Sequence, residues 1–203
     1  MAPERAARGR PRTGVREAVI ASAQQTLAES GLARTSTKEI ARRAGVAESS
    51  IFYHFGDRMG LLHAVIQHQL RPLKELLADR PGTEHSLRED VLDLLGALEE
   101  FYLAAIPAIA AVQSDAELRE SYEKRSRDMD LGPHRAVDAI LAHLSPRAAT
   151  ADLRPAALLL AGAAHQRALQ RHLSPPDALA SLPTRADIAD TLLPVFDSAL
   201  RGS

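Results

Sequence analysis

An all-α protein is predicted, on three observations. Apolar residues recur mainly at helical spacing, no stretch reads as a strand, and proline and glycine fall between the periodic blocks. The 203 residues include 45% hydrophobic and 25% charged residues, ordinary values for a globular protein. Aromatics make up 3% and Trp is absent, so the core must come from Leu, Ala, Ile and Val. A chain of this length makes one large domain or two small ones. With no Cys, a disulfide scaffold, thiol catalysis and Cys-ligated metal are excluded, and an intracellular, cytoplasmic protein is the simplest reading.

Taken in order, residues 1–12 read as a disordered basic arm. A first helix fits Thr13 to Ser30, with Val15, Ala18, Val19, Ala23 and Leu27 on one face. Gly31 followed by Leu32 fits a glycine C-cap with its hydrophobic follower. Ser36 and Glu39 have the spacing of a capping box, and the helix they start runs through KEIARRA to Gly45. A short helix fits Glu48 to Phe55. Asp57 is the expected N-cap of a longer one over 58–79, with Leu61, Leu62, Val65, Ile66, Leu70, Leu73 and Leu77 as its apolar positions. Further helices fit 86–105, 107–114, 115–128, 133–144, 151–173 and 185–201, with Pro107, Pro133, Pro155 and Pro175-Pro176 marking starts or breaks.

Charge separates the front from the rear. Residues 1–60 carry 10 Lys or Arg against 6 Asp or Glu, and the remainder carries 15 against 20. A basic front suggests a polyanionic partner. The longest apolar run, Phe101 to Val112, has 12 residues and contains Pro107, which is too short to span a bilayer, so no membrane partner is expected. The N-terminus has positive charge without an apolar segment and does not read as a secretory signal. No metal site is expected from the eight histidines, since His63 and His68 are five apart and no HExxH occurs. No glycine-rich phosphate loop is present, and the serines near His54 lack the buried orienting group of a nucleophile triad. No cofactor and no catalytic residue are assigned.

The front has more definite content. Residues 36–55 read STKEIARRAGVAESSIFYHF. As a helix-turn-helix, Ala41 keeps the crossing close, Gly45 reverses the chain, and Ile40, Val46 and Ile51 pin two helices to one small core. Glu48, Ser49, Ser50, Tyr53 and His54 are then left outside, on a short helix able to enter a major groove. Three of the seven aromatics, Phe52, Tyr53 and Phe55, fall within four residues, so at least one aromatic or His54 must face outward. Phe55 is expected in the core. Tyr53 and His54 are read as phosphate contacts, against the alternative of a rim residue and an incidental histidine.

From Val15 to Ile66 these residues resemble the DNA-binding domain of the TetR family of transcriptional regulators. The resemblance rests on T-S-T-x-E-I-A-x-x-A-G-V, then S-x-x-Y-H-F, then a turn and a basic residue ahead of Leu-Leu. It implies that Thr37 binds phosphate and that Lys38 reads a base or phosphate. It also implies that Glu48, Ser49 and Ser50 form the base-reading turn, that Phe52, Tyr53 and His54 brace the backbone, and that Arg58 meets a phosphate. Arg8, Arg10 and Arg12 would add groove or backbone contacts. Two residues depart from the pattern: Phe52 stands where Tyr is common, and Ala47 where Ser is common. Glu48 is open to two readings, a cytosine acceptor or a complement to the helix dipole.

The predicted domains are thus the arm, a helix-turn-helix domain over 13–57, and a helical ligand-binding and dimerisation domain over 58–203. Two half-sites about 34–36 Å apart require a dimer. The helices at 151–173 and 185–201 are expected to form its interface through Leu158, Leu159, Ala163, Leu169 and Leu173, with Ile188, Leu192, Leu193, Val195, Phe196 and Leu200. An ordinary internal core is the alternative. Phe101, Tyr102, Ile106, Ile109, Gln113 and Tyr122 are the candidate lining for a small, largely apolar effector. His165 and Gln166 belong either to that pocket or to the dimer seam. The function expected is a DNA-binding regulator, in this family more often a repressor, released from a palindromic operator by a small molecule. An all-helical binding protein or enzyme with a vestigial front motif is the alternative.

Overall fold

Helix starts and stops in this chain follow its small polar residues, its glycines and its prolines, and they set where each functional side chain sits. The computed structural model describes residues 12–31, 36–78, 85–129, 132–147 and 152–201. The expected arm up to residue 11, with Arg8 and Arg10, and Leu32 lie outside the described residues. Among the described residues there are eleven α-helices and no strand. They are α1 (Arg12–Ser30), α2 (Thr37–Ala44), α3 (Glu48–Phe55), α4 (Arg58–Gln69), α5 (Arg71–Ala78), α6 (Leu87–Ser114), α7 (Ala116–Met129), α8 (His134–Leu144), α9 (Arg154–Leu173), α10 (Pro176–Leu179) and α11 (Arg185–Arg201), with a 3-10 turn at Ser145–Arg147.

The chain forms two compact units. The first runs to His68 and includes residues 107–118; the second comprises 69–106 and 119–203. In the first, α1 buries Val19, Ile20, Ala23 and Leu27, α2 buries Ile40, Ala41 and Ala44, and α4 buries Met59, Leu61, Leu62 and Val65. Spacings of three and four residues place each set on one helical face. In the second, Val91, Leu94, Leu95 and Leu98 of α6 form one apolar cluster with Val137, Ile140 and Leu144 of α8, an alanine-rich face of α9, and Ala189, Leu192 and Phe196 of α11.

Four sequence expectations need correction. The helix over 58–79 is two helices, α4 and α5, with a turn at Leu70 between them. Pro72 explains the break, because it has no N–H for the carbonyl one turn back and its ring crowds that carbonyl. Pro107, by contrast, lies inside one continuous 28-residue helix, so the segments 86–105 and 107–114 are joined. Burial of Ala105, Ala108, Ala111 and Val112 around it outweighs the lost hydrogen bond. That continuity makes α6 long and apolar enough to cross a bilayer by length and composition, with a mean hydropathy of 1.5 over an 18-residue stretch within it. Its composition is that of a core helix: Leu94, Leu95 and Leu98 are fully buried, and so is an ion-paired Glu99. Finally, the proposed dimer face is in part internal core, since Leu192 and Phe196 are buried against α6, α8 and α9.

Glu99 is the polar tie of the second unit. Its carboxylate accepts from Arg167 Nε at 2.9 Å, Arg171 Nη1 at 2.7 Å and Arg185 Nε at 2.8 Å, joining α6, α9 and α11. Burial alone pushes this carboxyl up, but hydrogen bonds from Arg167, Arg185 and Arg171 outweigh it and hold it at about 2. Two reciprocal caps fix helix starts nearby. Ser86 and Glu89 exchange bonds at the start of α6, and Thr184 and Asp187 do so at the start of α11.

Candidate nucleic-acid interface

Helix α3 has eight residues and a sharp division between its faces. Ile51 is fully buried and Phe55 is 8% exposed, four residues apart on the inner side. Phe52 is 49% exposed, Tyr53 is 71% exposed, and Glu48 and Ser49 are exposed on the same outer side. Ser50 and His54 are half-buried at its edges. The Tyr53 and His54 rings meet edge to face at 5.1 Å, and Arg16 of α1 stands 5.5 Å over the Phe55 ring.

The turn ahead of α3 is set by α2. Ser36 Oγ accepts from the Glu39 N–H at 3.1 Å, so the predicted N-cap is present. Only one arm of the expected capping box forms, however. The Glu39 side chain turns instead to Arg42 (2.7 Å) and Arg43 (2.7 Å), whose hydrogen bonds lower its carboxyl to about 2. Arg43 also reaches Glu29 of α1 at 2.5 Å. Gly45 then takes φ 68°, a left-handed turn that glycine adopts without a Cβ penalty, and its N–H closes on the end of α2.

Three of the candidate residues are the first residues of three successive helices: Thr37 of α2, Glu48 of α3 and Arg58 of α4. They converge. The Thr37 hydroxyl donates to Glu48 Oε1 at 2.5 Å. Thr37 and Arg58 line one small hollow with Ala23, Leu27, Ile40, Leu61 and Leu62, with a volume of about 10 Å³, room for about one water. Lys38 is exposed beside Thr37. The N-terminal N–H groups of helices carry partial positive charge, so clustering such ends makes a surface suited to anions.

Residues 19–65 match the model of the bacterial regulatory proteins of the tetR family. The match covers the N-terminal helix-turn-helix region, α1 to α4. The chain is 39% identical over 72 residues to the HTH-type transcriptional regulator BetI of Stenotrophomonas maltophilia, a match covering 34% of this chain and 37% of that one. It is 31% identical over 91 residues to the HTH-type transcriptional repressor BepR of Brucella suis, covering 42% of each. The chain thus spans less than half the length of these relatives. Beyond that stretch the likeness is one of fold. A transcriptional regulator from Rhodococcus sp. Rha1 superposes with a TM-score of 0.62 at 20% identity, over 92% of this chain and 96% of that one.

Within the matched region, both departures have visible consequences. Ala47 sits in N-cap geometry at φ −70° and ψ 144° but offers no side-chain bond to the first turn of α3. Phe52 faces outward without a hydroxyl, so it presents a bare apolar ring. Asp57 is the N-cap expected, accepting from the Gly60 N–H at 2.6 Å. Gly60 itself was missed by the sequence reading. A Cβ there would lie 1.9 Å from the Phe55 carbonyl oxygen, so only glycine lets α4 start so close to the end of α3. Nothing in its sequence neighbourhood marks it, since the clash involves backbone only.

The expected effector residues divide between the units. Phe101, Tyr102, Ile106, Tyr122, His165 and Gln166 fall in the second, whereas Ile109 and Gln113 fall in the first. Tyr102 stacks edge to face on His165 at 5.0 Å and against Phe101 at 5.2 Å. Burial pushes the Tyr102 hydroxyl's pKa up. His165 and Gln166 are exposed on α9, which favours the surface over a pocket wall for these two.

Proposed function

We propose that this chain is a DNA-binding transcriptional regulator, not an enzyme, that acts in the cytoplasm as a homodimer on a palindromic operator. The observation that carries the reading is the outer face of α3: Glu48, Ser49, Phe52 and Tyr53 stand exposed while Ile51 and Phe55 anchor the helix. An eight-residue helix held rigidly on two buried side chains can be laid into a major groove without unfolding anything. Around it, Thr37, Lys38 and Arg58 meet phosphates, with Tyr53 and His54 bracing the backbone and Ser49 and Ser50 turned to base edges.

Dimerisation runs through α9 and α11, where Leu158, Leu159, Leu173 and Val195 remain exposed. Repression is the favoured sign of control, by analogy with the named repressor BepR. A small apolar effector, held in the second unit near Phe101, Tyr102, Ile106 and Tyr122, lowers operator affinity by binding one dimer state better than the other. The test is gel retention of DNA selected from a random pool. The combined Lys38→Ala and Tyr53→Ala variant should lose retention while keeping its helicity and its dimer mass. Undiminished retention would refute the assigned face.

A further inference from the structure

Resting on the reading that this face binds DNA, we propose that Glu48 is a specificity-determining residue. Its carboxylate makes recognition depend on a cytosine amino group in each half-site and disfavours DNA that lacks one.

Its position comes first. Glu48 opens α3 and lies one helical turn before Phe52, with Ser49 and the 71%-exposed Tyr53 alongside. Any pose that brings this face to base edges brings the carboxylate with it. Charge comes second. Glu39 on α2 is neutralised by Arg42 and Arg43, and Glu29 on α1 is met by Arg43. Among the described residues Glu48 has no such cation; its partner is the Thr37 hydroxyl, 2.5 Å away. A negative charge held in no ion pair therefore faces a polyanion, which weakens association unless the DNA supplies a donor.

The groove offers few donors. Guanine shows only acceptors on its major-groove edge, thymine an acceptor and a methyl, and adenine a donor flanked by the N7 acceptor. Cytosine presents its N4 amino group, the usual partner of Glu and Asp. Thr37 adds a second condition. Its hydroxyl proton is committed to Glu48 in the unbound protein, so it can turn to a phosphate only as the carboxylate gives it up. Exchange is favourable where an amino group takes that place. On other sequences the carboxylate stays unsatisfied or Thr37 keeps away from the phosphate. One residue pair thus couples backbone anchoring to base identity.

The experiment selects bound sites from random DNA with the wild-type protein, Glu48→Ala and Glu48→Gln, each checked for helicity and melting. Wild-type sites should carry cytosine at one position per half-site. Changing that base to thymine, which replaces the amino donor by a carbonyl acceptor, should weaken wild-type binding roughly ten- to a hundredfold. Glu48→Ala should lose this preference and bind non-specific DNA several-fold more tightly at low salt. Glu48→Gln should shift the preference toward adenine. If the wild-type protein selects a palindrome and Glu48→Ala returns the same base at every position, the inference is overturned and the functional reading stands. If the folded wild-type protein retains no DNA at low salt, the reading itself falls and the inference with it. The cytosine-to-thymine arm uses only unmodified protein, so an unfolded variant leaves the test intact.

Discussion

Gly60→Ala is the substitution whose effect can be worked most directly from the geometry. The added methyl would lie 1.9 Å from the Phe55 carbonyl oxygen and 3.0 Å from its carbonyl carbon, against 3.4 Å for an ordinary contact. The obstacle is backbone, so no side-chain rotation relieves it. Two accommodations are open. The end of α3 can shift, dragging the buried Phe55 out of its site, at about 1–3 kcal/mol for a strained core. Alternatively, the first turn of α4 can unwind, losing the 2.6 Å bond from the Gly60 N–H to Asp57, a cap worth about 0.5–2 kcal/mol. A loss of about 2–4 kcal/mol is expected when both contribute, read as a lower urea midpoint by circular dichroism. The control is Gly14→Ala within α1, where nothing lies within 4 Å of the new methyl. There the same change should not destabilise, and should stabilise by at most about 0.5–1 kcal/mol, because glycine is a poorer helix former than alanine. An unchanged or raised midpoint for Gly60→Ala would show that α3 and α4 do not meet as described.

Three further outcomes are expected. Glu99→Gln leaves three arginines around a buried neutral amide and should cost about 3–5 kcal/mol in urea unfolding. The same carboxylate sets a pH dependence: its folded value of about 2 lies below the ordinary 4.5, so its stabilisation is present above about 4.5 and is lost as pH falls towards 2, which acid titration of the wild-type protein and a flatter profile in Glu99→Gln would show. Ala47→Ser fills an N-cap position already in cap geometry and should stabilise by about 0.5–2 kcal/mol, measured as a raised urea midpoint.

The front of the molecule was legible because its signals are local. Ser36, Gly45 and Asp57 each act within one helical turn, and the structure places each where the spacing put it. Phe55 lies in the core, as expected, and Phe52 and Tyr53 lie outside, which meets the requirement that at least one residue of the aromatic cluster face outward. What stayed hidden there depends on distances across the fold. The Thr37–Glu48 bond joins residues eleven apart, and Glu39 chose two arginines over its expected cap because charge-assisted bonds are stronger. Gly60 is read as a glycine of necessity only once the Phe55 carbonyl is in place. Pro72 and Pro107 make the same point: one follows a helix break and the other lies inside a helix, and the surrounding burial decided which.

The rear is where a sequence pattern pointed both ways, and α9 shows why. Its leucines and alanines are all apolar, so periodicity alone could not say which set turns inward. The structure buries Ala156, Ala157, Leu160, Ala161, Ala164 and Ala168, while Leu158, Leu159 and Leu173 stay exposed. Small side chains on the inner face let α8 and α11 approach closely, which explains the choice. It also leaves the larger side chains outside, although burying each would contribute about 1.5–3 kcal/mol. On α11 the division repeats, with Leu192 and Phe196 inside and Val195 outside. Two neighbouring helices that both expose large apolar side chains after filling their own core have surface left for another copy of the chain. That is the physical ground for placing the proposed dimer there, with the interface drawn from the exposed leucines and Val195, and with Leu192 and Phe196 withdrawn from it.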